Sequence, residues 1–360
     1  SDEAFNALEP VQWPVRDGAA RSDSRFFAQG DFFTGDGRAR LVAPEAPALR
    51  APPSVQFPFV LNTGRVRDQW HTMTRSGLSP RLANHLREPF VEIHPKDAAE
   101  LGLIDGGFAS LRTAHGACVL KVVRSEFQRR GSLFAPIHWS DETASSARIG
   151  ALVAPATDRW SGQPEAKGTP ASIAPVAFQH RGFLLARNPV TLPEETWWAR
   201  VKFADGVGYL LASDALLPTW RERAAGVFGC TEFAEFTDEP RGIYRMAVFD
   251  RDRLDGCLFL GPADGEPQWD AVKKLFEAGT LSEAQRRAVL SGRSADSLPA
   301  SGPLVCACFG VGLNLIRTAL ERGASSVADI GTALRAGTNC GSCLPELKKI
   351  VNDGRVAQTV

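Results

Sequence analysis

Short apolar segments separated by turn residues fill the chain between residues 57 and 137. The predicted strands are Phe57–Leu61, Phe90–Ile93, Phe108–Thr113, Ala117–Val123 and Ser132–Ile137, with one short helix from Pro95 to Leu101 that Gly102 ends. Short strands joined by turn signals, with a single small helix, are typical of a β-barrel. We therefore predict a β-barrel domain over residues 55–175, in which Cys118 is a core residue because it alternates with apolar neighbours.

The segments on either side of the barrel have different patterns. Residues 1–54 lack periodicity and carry scattered aromatic residues, so we predict an arm that packs on another domain. Residues 180–290 predict an α+β domain with no chemical role that we can identify. Its elements are the hairpins Trp197–Phe203 with Val207–Ala212 and Ile243–Phe249 with Gly256–Leu260, the helix Trp269–Phe276, and a helix between the Ser282 capping box and Gly292. Residues 291–303 indicate a linker.

A helical pattern returns after residue 304 and predicts a small helical domain over residues 304–354. Apolar positions at Val311, Leu315 and Ala319 (with Thr318) predict one helix face directly after Cys308. Ser326–Asp329 resembles a capping box that begins a second helix, which Gly337 would end. A third helical run extends from Pro345 to Val351.

Four of the seven cysteines stand in two tight pairs in this small domain, Cys306 with Cys308 and Cys340 with Cys343. Thiolates are soft ligands, and two such pairs make a four-sulfur site for an iron–sulfur cluster or for zinc. We expect both pairs at or near helix N-termini, where backbone N–H groups favour negative charge. An iron–sulfur cluster is the favoured interpretation, because zinc sites more often use Cys-x2-Cys on both sides. A disulfide stays a third alternative, although the chain does not resemble a secreted scaffold.

A second chemically distinctive stretch, residues 62–74, directly follows the first predicted strand. Its members are hydroxyls, a glycine, an arginine, an amide, an indole and a histidine: Thr63, Gly64, Arg65, Gln69, Trp70, His71, Thr72 and Thr74. Glycine permits close backbone approach, and arginine can bind a phosphate with two parallel hydrogen bonds. The stretch is neither a Walker loop nor a Gly-x-Gly-x2-Gly fingerprint. The residues alone fit either a site for a phosphorylated heterocycle or a solvated polar loop.

Charge and hydropathy exclude several classes of partner. Lys+Arg and Asp+Glu both number 41, so net charge gives no indication of nucleic-acid binding. No apolar run approaches the roughly 20 residues of a membrane-spanning helix, and the first residues do not resemble a signal peptide. We expect a cytoplasmic protein with no membrane or nucleic-acid partner. Because the chain does not begin with Met, we also expect it to be the C-terminal part of a longer protein.

The stretch Leu61–Arg65 with Gln69–Thr74 resembles the molybdopterin-dinucleotide-binding domain of the nitrate reductase and formate dehydrogenase superfamily. Val91–Ala98, Phe134–Trp139 and Ser161–Lys167 follow in that family's order. The resemblance implies a double-psi β-barrel that binds molybdopterin guanine dinucleotide, in an enzyme that holds molybdenum between two such cofactors (Mo-bis-MGD).

Residue by residue, the resemblance implies contacts with the cofactor from two sides. The first set would meet a phosphate or the guanine: Thr63, Gly64 and Arg65. The second set would line a pterin or ribose: Gln69, Trp70, His71, Thr72 and Thr74. The third set would reach the cofactor from the far side: His138, Gln163 and Lys167.

The cysteine segment resembles the bacterioferritin-associated ferredoxin-like [2Fe-2S] domain, with Cys306, Cys308, Cys340 and Cys343 as its ligands. A molybdopterin barrel joined to such a domain resembles the bacterial assimilatory nitrate reductases, which reduce nitrate to nitrite. The resemblance implies that a [4Fe-4S] cluster and the molybdenum ligand belong to a part outside this chain, on which residues 1–54 would pack. We therefore expect no catalytic residue here, and no activity from this chain alone.

Two other functions stay open at this point. One is a different bis-molybdopterin oxidoreductase, such as a formate dehydrogenase, because the substrate pocket would lie outside this chain. The other is a non-enzymatic iron–sulfur electron carrier, which would have no need of a dinucleotide site. The expected partners are nitrate and an electron-donor protein, namely a flavoprotein reductase, a ferredoxin or a flavodoxin.

Overall fold

The computed structural model describes residues 1–9, 13, 25–45, 48–265, 269–292 and 301–357 as two compact units, Ser1–Leu49 and Arg50–Val360. The first unit contains helix α1 (Asp2–Asn6), and Phe27 stacks on Phe32 there with ring centroids 4.6 Å apart. Most of the predicted linker, residues 293–300, lies outside the described residues. No helix within these ranges is long and apolar enough to cross a membrane.

A closed six-stranded barrel begins the second unit. Its elements are β1 (Phe59–Gly64), α2 (Pro80–Ala83), β2 (Phe90–Ile93), α3 (Pro95–Glu100), β3 (Phe108–Arg112), β4 (Ala117–Arg124), β5 (Ser132–Pro136) and β6 (Thr169–Val176). The strand order is β1-β5-β2-β4-β3-β6, with β1 parallel to β5 and β2 parallel to β4. Parallel neighbours require crossover connections, as in the predicted double-psi barrel, and the predicted fold class is confirmed.

Alternating side chains of the strands fill the interior of the barrel. In β4, Cys118, Leu120 and Val122 are buried while their neighbours are partly exposed. Burial raises the pKa of the Cys118 thiol to about 11, so this cysteine stays protonated. Cys118 is a core residue, as its alternation with apolar neighbours predicted.

A six-stranded antiparallel sheet follows the barrel, in the order β10-β11-β12-β7-β9-β8. Its elements are β7 (His180–Ala186), β8 (Trp197–Phe203), β9 (Gly206–Ser213), α4 (Leu217–Phe228), β10 (Ala234–Asp238), β11 (Ile243–Asp250), β12 (Arg253–Pro262), α5 (Trp269–Glu277) and α6 (Glu283–Val289). Helices α5 and α6 cover one face, and α4 covers the other. Trp197 of β8 donates a hydrogen bond from Nε1 to the Val119 carbonyl over 2.8 Å, so the sheet packs directly against the barrel.

The described chain ends in a small domain around the cysteines. Its elements are β13 (Leu304–Cys306), β14 (Val311–Gly312), α7 (Leu313–Glu321), α8 (Val327–Leu334) and α9 (Leu344–Ala357). Its core includes Ile316, Ile330 and Leu347, which are fully buried. The Ser326 side chain caps α8 by accepting from the Asp329 N–H, as predicted.

Three details of this domain differ from the sequence predictions. Leu315 is 36% exposed, because α7 begins only at Leu313 and turns Ile316 inward instead. The first cysteine pair lies on β13 and the following turn rather than at a helix N-terminus, whereas the second pair directly precedes α9. Helix α8 ends before Gly337, because Arg335 already adopts the left-handed conformation with φ of 62°.

Candidate functional site

The loop that leaves β1 at Gly64 has an unusual backbone. Asp68, His71 and Met73 adopt positive φ angles of 69°, 44° and 63°. Such angles are uncommon for residues other than glycine and persist only where surrounding contacts impose them. We call residues 65–74 the cofactor loop. Its conformation must therefore be held by contacts with neighbouring parts of the barrel.

His138, which is fully buried after β5, supplies two of those contacts. Its Nε2 accepts a hydrogen bond from the Val66 N–H over 2.9 Å, and its Nδ1 contacts the His71 carbonyl at 2.5 Å. A carbonyl can only accept, so Nδ1 carries the proton and the imidazole is neutral. Burial lowers the pKa of His138 and so favours this neutral form. The histidine thus ties the start and the middle of the cofactor loop to the barrel.

Two other predicted cofactor residues also have partners within the protein. The Thr63 hydroxyl donates to the Ala166 carbonyl over 2.6 Å, and the Gln69 side-chain oxygen accepts from the Ser76 hydroxyl over 2.6 Å. Both side chains are buried. The Gln69 bond therefore holds the cofactor loop from beneath, whereas the Thr63 bond joins β1 to the turn before β6.

The remaining predicted residues lie at the surface, in the cofactor loop or in the turn before β6. Those with exposed side chains are Arg65, Trp70, His71, Thr72, Thr74, Gln163 and Lys167. Lys167 donates to the Thr63 carbonyl, which brings its ammonium group beside Gly64. A Cβ atom on Gly64 would lie 2.8 Å from the Phe134 ring, so only glycine fits there. Gln163 lies in a turn closed by a hydrogen bond from the Asp158 N–H to the Gln163 carbonyl, over 2.8 Å.

A cleft of about 760 Å³ opens beside the cofactor loop. One wall comes from Gln69, Thr72 and Thr74, and the opposite wall includes Arg200 and Lys202 of β8. Its volume is in the range of small-molecule sites. The sequence pattern gave the middle region no chemical role, but the sheet places two cationic side chains in this cleft.

The four paired cysteines of the C-terminal domain approach each other across the pairs. The sulfur of Cys308 lies 3.2 Å from that of Cys340, and Cys306 is a hydrogen-bond partner of Cys343. All four thiols are free. The Ser342 hydroxyl, the Ser342 N–H and the Cys308 thiol lower the pKa of Cys340, whereas burial raises the pKa of Cys343 to about 11. Of these two thiols, the exposed one of Cys340 therefore forms a thiolate more readily than the buried one of Cys343.

The residues present fit a [2Fe-2S] cluster. Such clusters are held by four cysteine thiolates, and the protein presents four cysteine sulfurs in two contacting pairs. The two pairs together therefore provide the four sulfur ligands that such a cluster requires.

The cofactor loop also touches the cysteine domain. Arg67 pairs with Glu346 at 2.9 Å, and Asp68 accepts a hydrogen bond from the Ser342 hydroxyl over 3.0 Å. Sequence reasoning missed these contacts. Arg67 and Asp68 belong to the polar stretch of residues 62–74, but residue spacing does not predict contacts between residues so far apart in the chain.

Comparisons with known proteins agree with both predicted domains. Residues 59–170 match the family described as "Molydopterin dinucleotide binding domain", and residues 304–353 match the "BFD-like [2Fe-2S] binding domain". A nitrate reductase of Klebsiella oxytoca is 37% identical over 98% of this chain and 40% of its own length. The assimilatory nitrate reductase catalytic subunit of Bacillus subtilis is 30% identical over 41% of this chain and 21% of its own length.

A periplasmic nitrate reductase of Desulfovibrio desulfuricans is also similar, with 33% identity over 38% of this chain and 18% of its own length. The chain therefore spans less than half the length of each of these relatives. The two domain matches show that the chain carries binding domains for molybdopterin guanine dinucleotide and for a [2Fe-2S] cluster.

Proposed function

We propose that this chain, which belongs with the molybdopterin-dependent nitrate reductases, forms the part of such an enzyme that clamps the dinucleotide and receives electrons. The observation that carries the proposal is the position of both sites on one compact unit. The cofactor loop contacts the cysteine domain directly, with the Ser342 hydroxyl 3.0 Å from the Asp68 carboxylate. A protein that only carried electrons would have no need of the cofactor loop beside its iron–sulfur cluster.

The exposed side chains around the loop would hold the dinucleotide. Arg65 and Lys167 supply positive charge beside Gly64, and the hydroxyls of Thr72 and Thr74 can donate to anionic oxygens. Gln69 and His138 act beneath them by fixing the cofactor loop, and Thr63 acts by joining β1 to the turn that precedes Lys167. When bound, the cofactor supplies the molybdenum at which nitrate is reduced to nitrite in a two-electron reaction. The role of this chain is to bind and orient that cofactor.

The cysteine domain would hold the cluster on Cys306, Cys308, Cys340 and Cys343 and pass electrons inward. Cys340 is exposed while Cys306 and Cys343 are buried, so one edge of the site faces outward. Exposure at that edge suits exchange of electrons with a donor protein, for which we propose a flavoprotein reductase, a ferredoxin or a flavodoxin.

We further propose that the enzyme is assimilatory and cytoplasmic. The likeness to the Bacillus subtilis assimilatory subunit supports this assignment, as does the use of paired metal-type thiols in a chain whose cysteines are all free. Nitrate is favoured over formate as substrate, because the likeness that extends over 98% of this chain is to a nitrate reductase.

The test of the relay uses the whole enzyme with Cys306→Ser, and Cys230→Ser as a matched control outside the cysteine domain. Small reduced dyes can reach inner centres directly, so dye-driven nitrate reduction should largely survive in Cys306→Ser. Turnover with the protein donor should collapse, while the control keeps both activities. If both fall together while molybdenum and the other cluster remain loaded, the domain is not a simple relay. If neither falls, the cluster is structural and the proposal is wrong.

A further inference from the structure

Several polar contacts close to the cysteine pairs attach the cysteine domain to the barrel. Arg67 bonds the Glu346 carboxylate at 2.9 Å and the Val305 carbonyl at 3.1 Å, directly before Cys306. Arg81 donates to the carbonyl of Cys308 itself over 3.1 Å. Guanidinium groups keep their charge and hold several acceptors in fixed directions, so these bonds define an orientation as well as an attachment.

His85 orients the two loop residues that make the contact. Its Nε2 lies 2.6 Å from an Arg67 nitrogen, and its Nδ1 lies 3.1 Å from the Asp68 carboxylate. Arginine can only donate, so the imidazole accepts at Nε2 and carries its proton at Nδ1, the atom that lies beside the carboxylate. Only 5% of the Asp68 side chain is exposed. The carboxylate is therefore held at one position beside the cysteine domain.

Ser342 connects that carboxylate to a cluster ligand. Its hydroxyl oxygen lies 3.0 Å from Asp68 Oδ1 and 3.2 Å from the sulfur of Cys340. A serine hydroxyl has one proton, so it can donate to only one of these two acceptors at a time. Once Cys340 binds iron as a thiolate, the sulfur has no proton of its own and competes with Asp68 for that hydroxyl.

We propose that Asp68, a residue of the cofactor loop, is a positioning residue for the [2Fe-2S] cluster: it fixes the cluster edge against the loop and keeps the reduction potential of the cluster low. It does so by drawing the Ser342 hydroxyl away from the Cys340 sulfur and by placing a negative charge beside the cluster. Arg67 and His85 hold Asp68 in place. The inference rests on the proposed ligation of the cluster and deepens the proposed relay.

The physical reason lies in what sets a cluster potential. Hydrogen bonds to the sulfurs and nearby positive charge stabilise the reduced, more negative cluster, whereas nearby negative charge destabilises it. Because the Asp68 carboxylate belongs to the cofactor loop, the loop and the cluster share one residue. A rearrangement of the cofactor loop would therefore change the reduction potential of the cluster that passes electrons to the bound cofactor.

The test is a redox titration followed by EPR on the full protein that carries this chain, purified without oxygen. Asp68→Asn keeps the size of the side chain and tolerates the positive φ at this position, but it removes the charge. We expect its [2Fe-2S] midpoint potential to shift upward. Asp353→Asn removes the same charge from an exposed site on α9 and should titrate as the unaltered protein does. An unchanged potential in Asp68→Asn, or an equal shift in both variants, would overturn the proposal.

A second measurement tests the attachment separately, by hydrogen exchange. Arg67→Met should speed exchange of amides in residues 341–347 while the cluster stays bound, and Arg112→Met, an exposed change on β3, should not. Unchanged exchange in Arg67→Met would refute the role of this contact in holding the domain. If the unaltered protein binds no two-iron cluster, the ligand assignment fails first and this inference fails with it.

Discussion

Replacing His138 with Leu tests how the cofactor loop is held. Leucine has a similar size but accepts and donates no hydrogen bond, so the Val66 N–H and the His71 carbonyl both lose their buried partner. A buried group left unsatisfied costs about 1–3 kcal/mol. The loop also contains three non-glycine residues at positive φ, which relax once the tie is broken. We expect the free energy of local opening of residues 65–74 to fall by about 2–3 kcal/mol.

Hydrogen exchange followed by mass spectrometry measures that opening. A loss of about 2–3 kcal/mol corresponds to roughly thirty- to hundredfold faster exchange of the loop amides. His115→Leu is the matched control, because it makes the same change at an exposed residue of the same barrel. If the two variants exchange equally, His138 does not hold the loop and the reasoning from its two hydrogen bonds is wrong.

Two further predictions follow from the same site. The folded-state pKa of His138 is lowered below 6.5, so its contribution to loop protection is complete above pH 6.5 and is lost as pH falls below that value through the folded pKa. Exchange profiles of the unaltered protein and His138→Leu should therefore converge on acidification, and a constant difference would contradict the assignment. In the whole enzyme, Arg65→Ala should lower molybdopterin content, because a lost phosphate partner costs on the order of 2–5 kcal/mol. Arg112→Ala is its control, and equal molybdenum content in the two variants would refute the role of Arg65.

Local patterns predicted most of the barrel. Residues in β4 alternate between buried and partly exposed, and Pro95 and Gly102 mark the two ends of α3. These signals arise from one-sided burial and from backbone preference, both of which act within a few residues. They can therefore be recognised without knowledge of distant contacts.

The central strand of the middle sheet illustrates what local patterns cannot show. All seven residues of β7 are buried, because α4 covers one face of the sheet and α5 covers the other. A strand buried on both faces shows no alternation, so nothing in its sequence indicated that it joins the two predicted hairpins. Local patterns also could not show that Arg200 and Lys202 line the cleft, because their position there depends on where the sheet packs against the barrel.

At the cofactor loop, residue types indicated a binding site. They did not indicate which polar side chains bond within the protein and which are available to a ligand. Thr63 and Thr72 look alike in the sequence, yet one hydroxyl is bonded to the Ala166 carbonyl and the other faces the cleft. The contact between Asp68 and Ser342 was equally inaccessible, because it joins two domains whose relative position no local signal encodes. Position in the fold, rather than residue type, decides which polar groups are available to a ligand.

The metal and sulfide content of the purified protein, combined with EPR, tests the assignment of a [2Fe-2S] cluster to the four cysteines. Four thiols in two contacting pairs predict two iron atoms and two labile sulfides per chain, with an EPR signal that appears on one-electron reduction. Cys306→Ser should lose that signal, whereas Cys118→Ser, at a core thiol outside the cysteine domain, should keep it. A colourless protein with one zinc ion per chain and no signal on reduction would contradict the account.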